Sequence, residues 1–335
     1  MTIAPPRHGK RQAPRAHGPV VAMVVAVAAF AGCHAAPPEA EEPAVAALSP
    51  LFADVERVLV RQRDAIVALR QDLHTHPELS GEEQRTAGLV AQRLRALELD
   101  VRSGVGGHGV IARLSGAYPG RTVGFRADMD AFASSAPDPY SLPSTTPGVR
   151  HICGHDVHTA VAIATAEALA SVRSQLAGTV VFVFQPAEEN ARGARAMLDD
   201  GALAGESLDA IFAFHTAPMP LGSIGTKPGV LLNASSVAPG ATNDRALELR
   251  SRGVIRAVVG SEQLVVTTTV VPGFSEDFGH FQAVAPGVMF WLGVSNPERG
   301  TVGAPHSPDY VADDDAIHVG ARAASALLLA ELERK

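Results

Sequence analysis

Cysteine is almost absent from this sequence of 335 residues, which contains only Cys33 and Cys153. Cys33 belongs to the N-terminal leader described below, so the domain that follows holds a single cysteine and no internal disulfide. A lone cysteine in an exported domain needs a reason, and metal ligation would supply one.

A basic stripe and internal repeats are missing as well. The formal net charge is −7, and no run of Lys and Arg stands out after residue 20, so we expect no nucleic-acid partner. The composition is otherwise ordinary for a globular protein. The length suffices for a leader followed by one large domain or two modest ones.

The N-terminal region has the pattern of an export signal. Basic residues precede an apolar run over 19–31, which is too short to span a bilayer comfortably and has the length of a signal h-region. The run ends at Phe30-Ala-Gly-Cys33, which is similar to a bacterial lipobox. We therefore expect a signal peptide over 1–33, lipidation of Cys33, a disordered linker over 34–50 and an exported, periplasmic or membrane-anchored lipoprotein. A plain signal peptide or an N-terminal anchor, with Cys33 incidental, is the alternative.

Residues 51–335 alternate between helical and strand patterns. Helical spacing of apolar residues predicts helices over 51–73, 82–97, 158–172, 194–199, 243–259 and 313–334. Ser80 is the expected N-cap of the second helix. Short apolar runs predict strands over 110–114, 122–125, 179–184, 211–214 and 288–292. This order predicts an α/β domain, a three-layer sandwich with a mostly parallel central sheet flanked by helices and no second domain.

Polar side chains gather where the predicted strands end, which is where such sheets bind ligands. Asp130 follows one strand, Glu188 and Glu189 follow the next, and His215 follows a third. Each has a structural alternative: a turn acid, a pair of helix N-terminal acids, or a core histidine. His306 lies in a Gly/Pro loop and says little by itself.

The strongest local signal is the segment His151–His158. Thiolate and imidazole both suit zinc and other borderline metals, and Gly154 eases the turn that would bring Cys153 and His155 to one site. Asp156 could hold a histidine from behind. The alternative is a polar loop before a helix. Together with the strand-end residues, this segment makes a pair of cocatalytic metal ions plausible.

Seven stretches in order resemble the di-metal peptidase and amidohydrolase family of hippurate hydrolase, auxin-conjugate hydrolases, N-acetyl-diaminopimelate deacetylase and aminoacylases. They are residues 72–79, 105–109, 126–131, 153–156, 185–189, 274–278 and 306–308. The resemblance implies hydrolysis of N-acyl amino acids or small peptides by a metal-activated water. It implies one or two divalent ions (zinc, manganese, cobalt or nickel). The implied ligands are Cys153, His155, Glu189, His215 and His306, with Glu188 as general base and Asp130 as the acid that orients the site.

The sequence departs from this family in one respect. Its members insert a lid or dimerisation domain that supplies an oxyanion-stabilising histidine, whereas here a short linker over 231–242 takes that place. We therefore expect a monomer. Since oxyanion donors are often worth a hundredfold or more in rate, a lidless metal-binding remnant without catalysis is the rival hypothesis. His108, His158 and His280 could each replace the lid histidine.

Overall fold

A computed structural model of the chain describes residues 43–268, 276–301 and 304–334. The expected signal peptide with Cys33, and residues 34–42 of the expected linker, lie outside these ranges. Residues 43–50, also predicted as disordered linker, instead pack beside a helix: the Ala46 amide donates to Gly253 O at 3.1 Å, and Arg256 donates to Pro43 O at 2.6 Å. In the ranges described, none of the helices has the length and apolarity to cross a membrane.

The six predicted helices are present in the described segments with ends shifted by up to three residues, and a short seventh helix was not predicted. The helices are α1 (Phe52–Thr75), α2 (Gln84–Ala96), α3 (His155–Ala170), α4 (Gly193–Asp199), α5 (Arg245–Val259), the unpredicted α6 (Gly279–Gln282) and α7 (Asp315–Leu332). Ser80 does not cap α2, contrary to the prediction. Glu78 accepts from the Arg85 and Thr86 amides instead, at 2.9 and 2.8 Å, and the Ser80 hydroxyl turns toward Asp130.

The five predicted strands are present and longer than predicted, and the described residues contain seven further strands that were not predicted. The strands are β1 (Asp100–Val105), β2 (Gly109–Ser115), β3 (Tyr118–Asp128), β4 (Phe132–Ala133), β5 (Val149–Arg150), β6 (Ala177–Gln185), β7 (Ala210–Pro220), β8 (Ile224–Thr226), β9 (Gly229–Leu232), β10 (Ala241–Asn243), β11 (Leu264–Val266) and β12 (Gly287–Ser295). Eight of them form one sheet in the order β1-β2-β6-β3-β7-β12-β8-β11. Its centre, β6-β3-β7-β12, is parallel, and antiparallel pairs flank it.

Helices cover both faces of this sheet, as the alternating pattern predicts. Successive residues of β7 point to opposite faces: Phe212 and Phe214 join the apolar cluster under α1, α3, α5 and α7, while Ile211 and Ala213 join the cluster that includes α4 and α6. The fold is a mixed-sheet α/β sandwich, which confirms the predicted class.

Two segments differ from the sequence interpretation. β7 does not end at Phe214 but continues to Pro220 because β12 pairs with it in parallel along that length, so His215 lies inside a strand. The segment predicted as a linker over 231–242 contains parts of β9 and β10, which pair as a small antiparallel ribbon.

Candidate metal centre

The turn before α3 places Cys153 and His155 in the same buried pocket. Gly154 caps the helix with a φ of +88°, and a Cβ there would lie 2.3 Å from Tyr310 Oη and 2.6 Å from Thr216 Oγ1. Only glycine fits this backbone without displacing those groups. Cys153 is 4% exposed and His155 is fully buried.

His215 completes a triad with these two residues. Its Nε2 lies 3.3 Å from Cys153 Sγ, and one potential ligand atom from each of the three residues lies within 4.8 Å of the others. His215 Nδ1 donates to Thr216 O at 2.9 Å. This bond leaves the Nε2 lone pair directed at the pocket, as metal-binding histidines require.

Asp130 forms hydrogen bonds to residues that line the pocket. Its Oδ1 lies 3.1 Å from His155 Nδ1, and its Oδ2 accepts from the Ser80 hydroxyl at 2.6 Å and from the Glu189 amide at 2.9 Å. Burial disfavours the charged ring, but the Asp128 and Asp130 carboxylates outweigh it and raise the pKa of His155 to about 10. Asp130 therefore has the geometry of a residue that orients a ligand and the backbone of its neighbour.

Glu189 and His306 lie at the outer side of the pocket. His306 Nε2 is 3.0 Å from Glu189 Oε2, and both residues can share a site with Cys153 Sγ. All five donors that the sequence predicts are thus brought together: Cys153, His155, Glu189, His215 and His306.

Glu188 lies beside them, and within the described residues its one ion-pair contact is a long one. Its Oε2 is 3.9 Å from His155 Nε2, and its carboxyl group is grouped with those of Glu276 and Asp277. Burial, followed by repulsion from Glu276 and Asp277, raises the pKa of Glu188 well above its ordinary value. Residues 188–191 form a turn and α4 begins only at Gly193, so Glu188 and Glu189 are not in the first turn of a helix, contrary to the structural alternative.

Sequence reasoning missed a buried ionic network behind Glu188. Arg126 on β3 binds Asp128 at 2.6 Å, Glu276 at 2.9 Å and Asp277 at 3.3 Å. His158 is locked here as well: Nδ1 contacts Asp128 at 2.5 Å, and Nε2 accepts from the Thr216 amide at 2.9 Å. With both ring nitrogens engaged, His158 is unsuited to replace the lid histidine.

Asp156, the residue after His155, belongs to a separate buried group. Its Oδ2 forms an ion pair with Arg70, whose Nε is 2.8 Å away, and accepts from His74 Nδ1 at 2.8 Å, so the histidine that it holds is His74 and not a predicted ligand. We call this group the α1 cluster and define it as Arg70, His74, Asp138, Tyr140, Asp156 and Asp314.

The pocket fits a divalent cation. Among the residues that the structure describes, buried His155 Nε2 has no hydrogen-bond partner, although Asp128, Glu188 and Glu189 oxygens lie 3.7–3.9 Å away. Burial, then the Glu189 and Glu188 carboxylates, raises the pKa of the Cys153 thiol well above its ordinary value. Once it has lost its proton, His155 Nε2 would bind a cation, and the positive charge would lower the pKa of the Cys153 thiol. The thiolate, imidazole and carboxylate donors suit zinc and its neighbours.

Trp291, the single tryptophan of the chain, borders this pocket. It lies opposite His215 in the β12-β7 register, with ring centroids 5.6 Å apart and an interplanar angle of 79°. It is 4% exposed and packs in the apolar cluster on the α4 side of the sheet.

The chain matches known proteins over this same region. The model of peptidase family M20/M25/M40 matches residues 124–330. An N-acetylcysteine deacetylase of Bacillus subtilis is 41% identical over 169 residues, 50% of this chain and 44% of that protein. An N-acyl-L-amino acid amidohydrolase of Geobacillus stearothermophilus is 37% identical over 186 residues, 54% of this chain and 49% of that protein.

Solved structures agree with these matches. The structure of a dinuclear metal-binding peptidase of the M20 family from Bacillus subtilis aligns with a TM-score of 0.74 at 26% identity, over 82% of this chain and 99% of that one. The chain spans about half the length of the curated relatives it matches.

Proposed function

This chain belongs to peptidase family M20/M25/M40, and from that premise we propose that it is a metal-dependent hydrolase of the amide bond in N-acyl amino acids or small peptides. One observation carries the proposal. Five donors of mixed thiolate, imidazole and carboxylate type converge beside Glu188, whose carboxyl oxygen lies 3.9 Å from His155 Nε2.

The residues have distinct parts in the proposed reaction. Cys153, His155, Glu189, His215 and His306 would hold one or two divalent ions, which when bound polarise a carbonyl and acidify water. Glu188 Oε2 accepts a proton from the attacking water and delivers it to the departing amine. Asp130 keeps His155 in orientation through Nδ1. The metal could be zinc, manganese, cobalt or nickel.

The test is an assay of the intact protein with added manganese or zinc on N-acetyl and N-benzoyl amino acids, beside Glu188→Gln. General-base catalysis is worth about 10²–10⁴ in rate, so we expect the variant to lose that factor and to keep its metal content. Equal inactivity of both proteins, with metal bound in each, would support the rival metal-binding function and reject hydrolysis.

We also propose that the protein is a monomer. Between β8 and α5 the described chain forms only the β9-β10 ribbon, where the sequence resemblance implies a dimerisation domain in relatives. Sedimentation of the purified protein tests this, and a stable dimer would refute it.

Export with lipidation at Cys33 is likewise a proposal, resting on the lipobox-like sequence alone. Mass analysis of the mature N-terminus, in wild type and Cys33→Ala, distinguishes it from a plain signal peptide.

A further inference from the structure

His306 differs from the other four predicted ligands. Its side chain is 39% exposed, whereas that of its neighbour Glu189 is 6% exposed and the remaining three residues are buried. Its backbone has a φ of +66°, which a non-glycine residue adopts only when its surroundings impose it. Something must therefore hold this histidine in place from outside the pocket.

The hairpin of residues 132–150, which we call the cradle hairpin, makes these contacts. The Phe132 ring stacks on the His306 imidazole, with centroids 4.8 Å apart and an interplanar angle of 27°. Arg150 Nη1 donates to Pro308 O at 3.1 Å, two residues beyond the histidine. Just past the hairpin, Ile152 O accepts from the His306 amide at 2.7 Å.

Asp138 closes the cradle hairpin on itself and joins it to α1. Its carboxylate accepts from the Tyr140 and Ser144 amides at 3.1 and 3.0 Å, and it lies 3.5 Å from Arg150 Nη2. Its Oδ2 is 3.1 Å from His74 Nε2. The Asp138 side chain is only 5% exposed, so these bonds are shielded from water.

We infer that Asp138 is a positioning residue for metal binding, because it fixes Arg150 and the cradle hairpin against α1 and thereby holds His306 at the pocket. The inference rests on the proposed metal centre. It assigns a role in metal affinity to a residue that touches none of the five donors. Residues that support ligands in this way typically contribute about 10- to 100-fold in metal affinity.

The test measures zinc affinity of the full-length apoprotein by competition with a chromophoric chelator. We expect Asp138→Asn to weaken binding of the ion that uses His306 by about tenfold. Asp72→Asn is the matched control, since Asp72 is a half-exposed carboxylate of α1 that pairs with Arg85 outside the cradle hairpin. We expect its zinc affinity to equal that of wild type.

A double-mutant cycle with His306→Ala separates positioning from general stability. If Asp138 acts through His306, adding Asp138→Asn to His306→Ala leaves zinc affinity unchanged. An equal loss in both backgrounds, or a loss of thermal stability without any change in zinc affinity, would overturn the inference.

Phe132→Leu provides the second variant, because it removes the stacked ring and leaves the Asp138 bonds intact. We expect a loss of zinc affinity in the same direction, which His306→Ala again cancels; unchanged affinity would count against the cradle. Hydrolysis is not part of this readout. A protein that binds zinc as expected but is inactive would reject the proposed function and leave the inference standing.

Discussion

The metal centre and the α1 cluster are two buried polar groups that adjoin at consecutive residues, His155 and Asp156. They differ in how the charges of their buried side chains are balanced. In the α1 cluster the carboxylates have cationic partners: Arg70 binds Asp156 at 2.8 Å and Asp314 at 2.9 Å, and His74 binds Asp138. Although burial opposes ionisation, Arg70 and His74 hold the pKa of Asp156 well below its ordinary value.

The metal centre has the reverse balance. Burial and neighbouring acids raise the pKa values of Cys153 and Glu188, and among the described residues the thiolate and the carboxylate lack the close cationic partners that the acids of the α1 cluster have. Burial alone therefore does not identify a functional site. A buried charge that neighbouring side chains neutralise has a structural or positioning role. A buried ionisable side chain whose charge is incompletely compensated needs a partner from outside the protein, which here is a cation.

The largest effect on stability is expected from removing the main cation of the α1 cluster. Arg70→Met leaves Asp156 buried without its main cation, and removing one partner of a buried pair costs about 3–5 kcal/mol. We expect the free energy of unfolding to fall by that amount in urea denaturation, with or without zinc.

Arg61→Met is the control for this change, because Arg61 is exposed on the same helix. Surface substitutions of this kind change stability by about 0.5 kcal/mol or less. If zinc restored the unfolding free energy of Arg70→Met to the wild-type value, the distinction between the α1 cluster and the metal centre would be contradicted.

An intermediate effect on stability is expected from adding zinc to the metal centre. Zinc at about 100 times its dissociation constant stabilises a folded protein by about 2.7 kcal/mol. We expect this gain for wild type and a smaller gain for Cys153→Ala at the same zinc concentration, measured by urea denaturation. The same gain in both proteins, with unchanged zinc stoichiometry, would remove Cys153 from the ligand set.

The smallest effect concerns pH. Burial opposes protonation of His74, but its bonds to Asp138 and Asp156 prevail and raise its pKa above the ordinary value. A group with a raised folded-state pKa stabilises the fold fully below its unfolded pKa, about 6.5 for histidine, and this stabilisation is lost as pH rises through the folded value.

The measurement is the difference in unfolding free energy between wild type and His74→Gln across this range. The pKa of His155 is also raised in the metal-free protein, so the pH dependence of wild-type stability alone would not isolate the contribution of His74. We expect the difference to be largest at acid pH, near or below pH 6.5, and to shrink toward alkaline pH. A difference that grows with pH would contradict the ionic assignment of His74.

The long elements of this fold could be predicted because their periodicity is local. Helices α1, α5 and α7 and strands β6 and β12 each carry their own apolar pattern. Strands β8 and β11, of three residues each, were not predicted because they depend on distant partners: β8 pairs with β12 antiparallel, and β11 pairs with β8 in parallel some forty residues away in sequence. The extension of β7 past Phe214 depends in the same way on β12.

The donor residues could be proposed from sequence because their types and order resemble a family. Of the residues that support these donors, Asp130 could be proposed in the same way, but Arg126 and the partner of Asp156 could not. Asp156 was expected to hold a histidine, but that histidine lies 82 residues earlier on α1. Arg126 meets Glu276 and Asp277 across 150 residues or more. Arg126 is a charged residue at the end of an apolar strand pattern and begins one of the family-like stretches, but neither signal could identify its partners.

Trp291 gives the molecule a built-in optical probe. Because it is the single tryptophan and its ring lies 5.6 Å from that of His215, all indole emission originates at the wall of the proposed metal pocket. Paramagnetic cobalt or nickel arriving there should quench that emission, while diamagnetic zinc occupying the same ligands should protect it. Occupancy can thus be followed in the unlabelled protein, independently of any substrate.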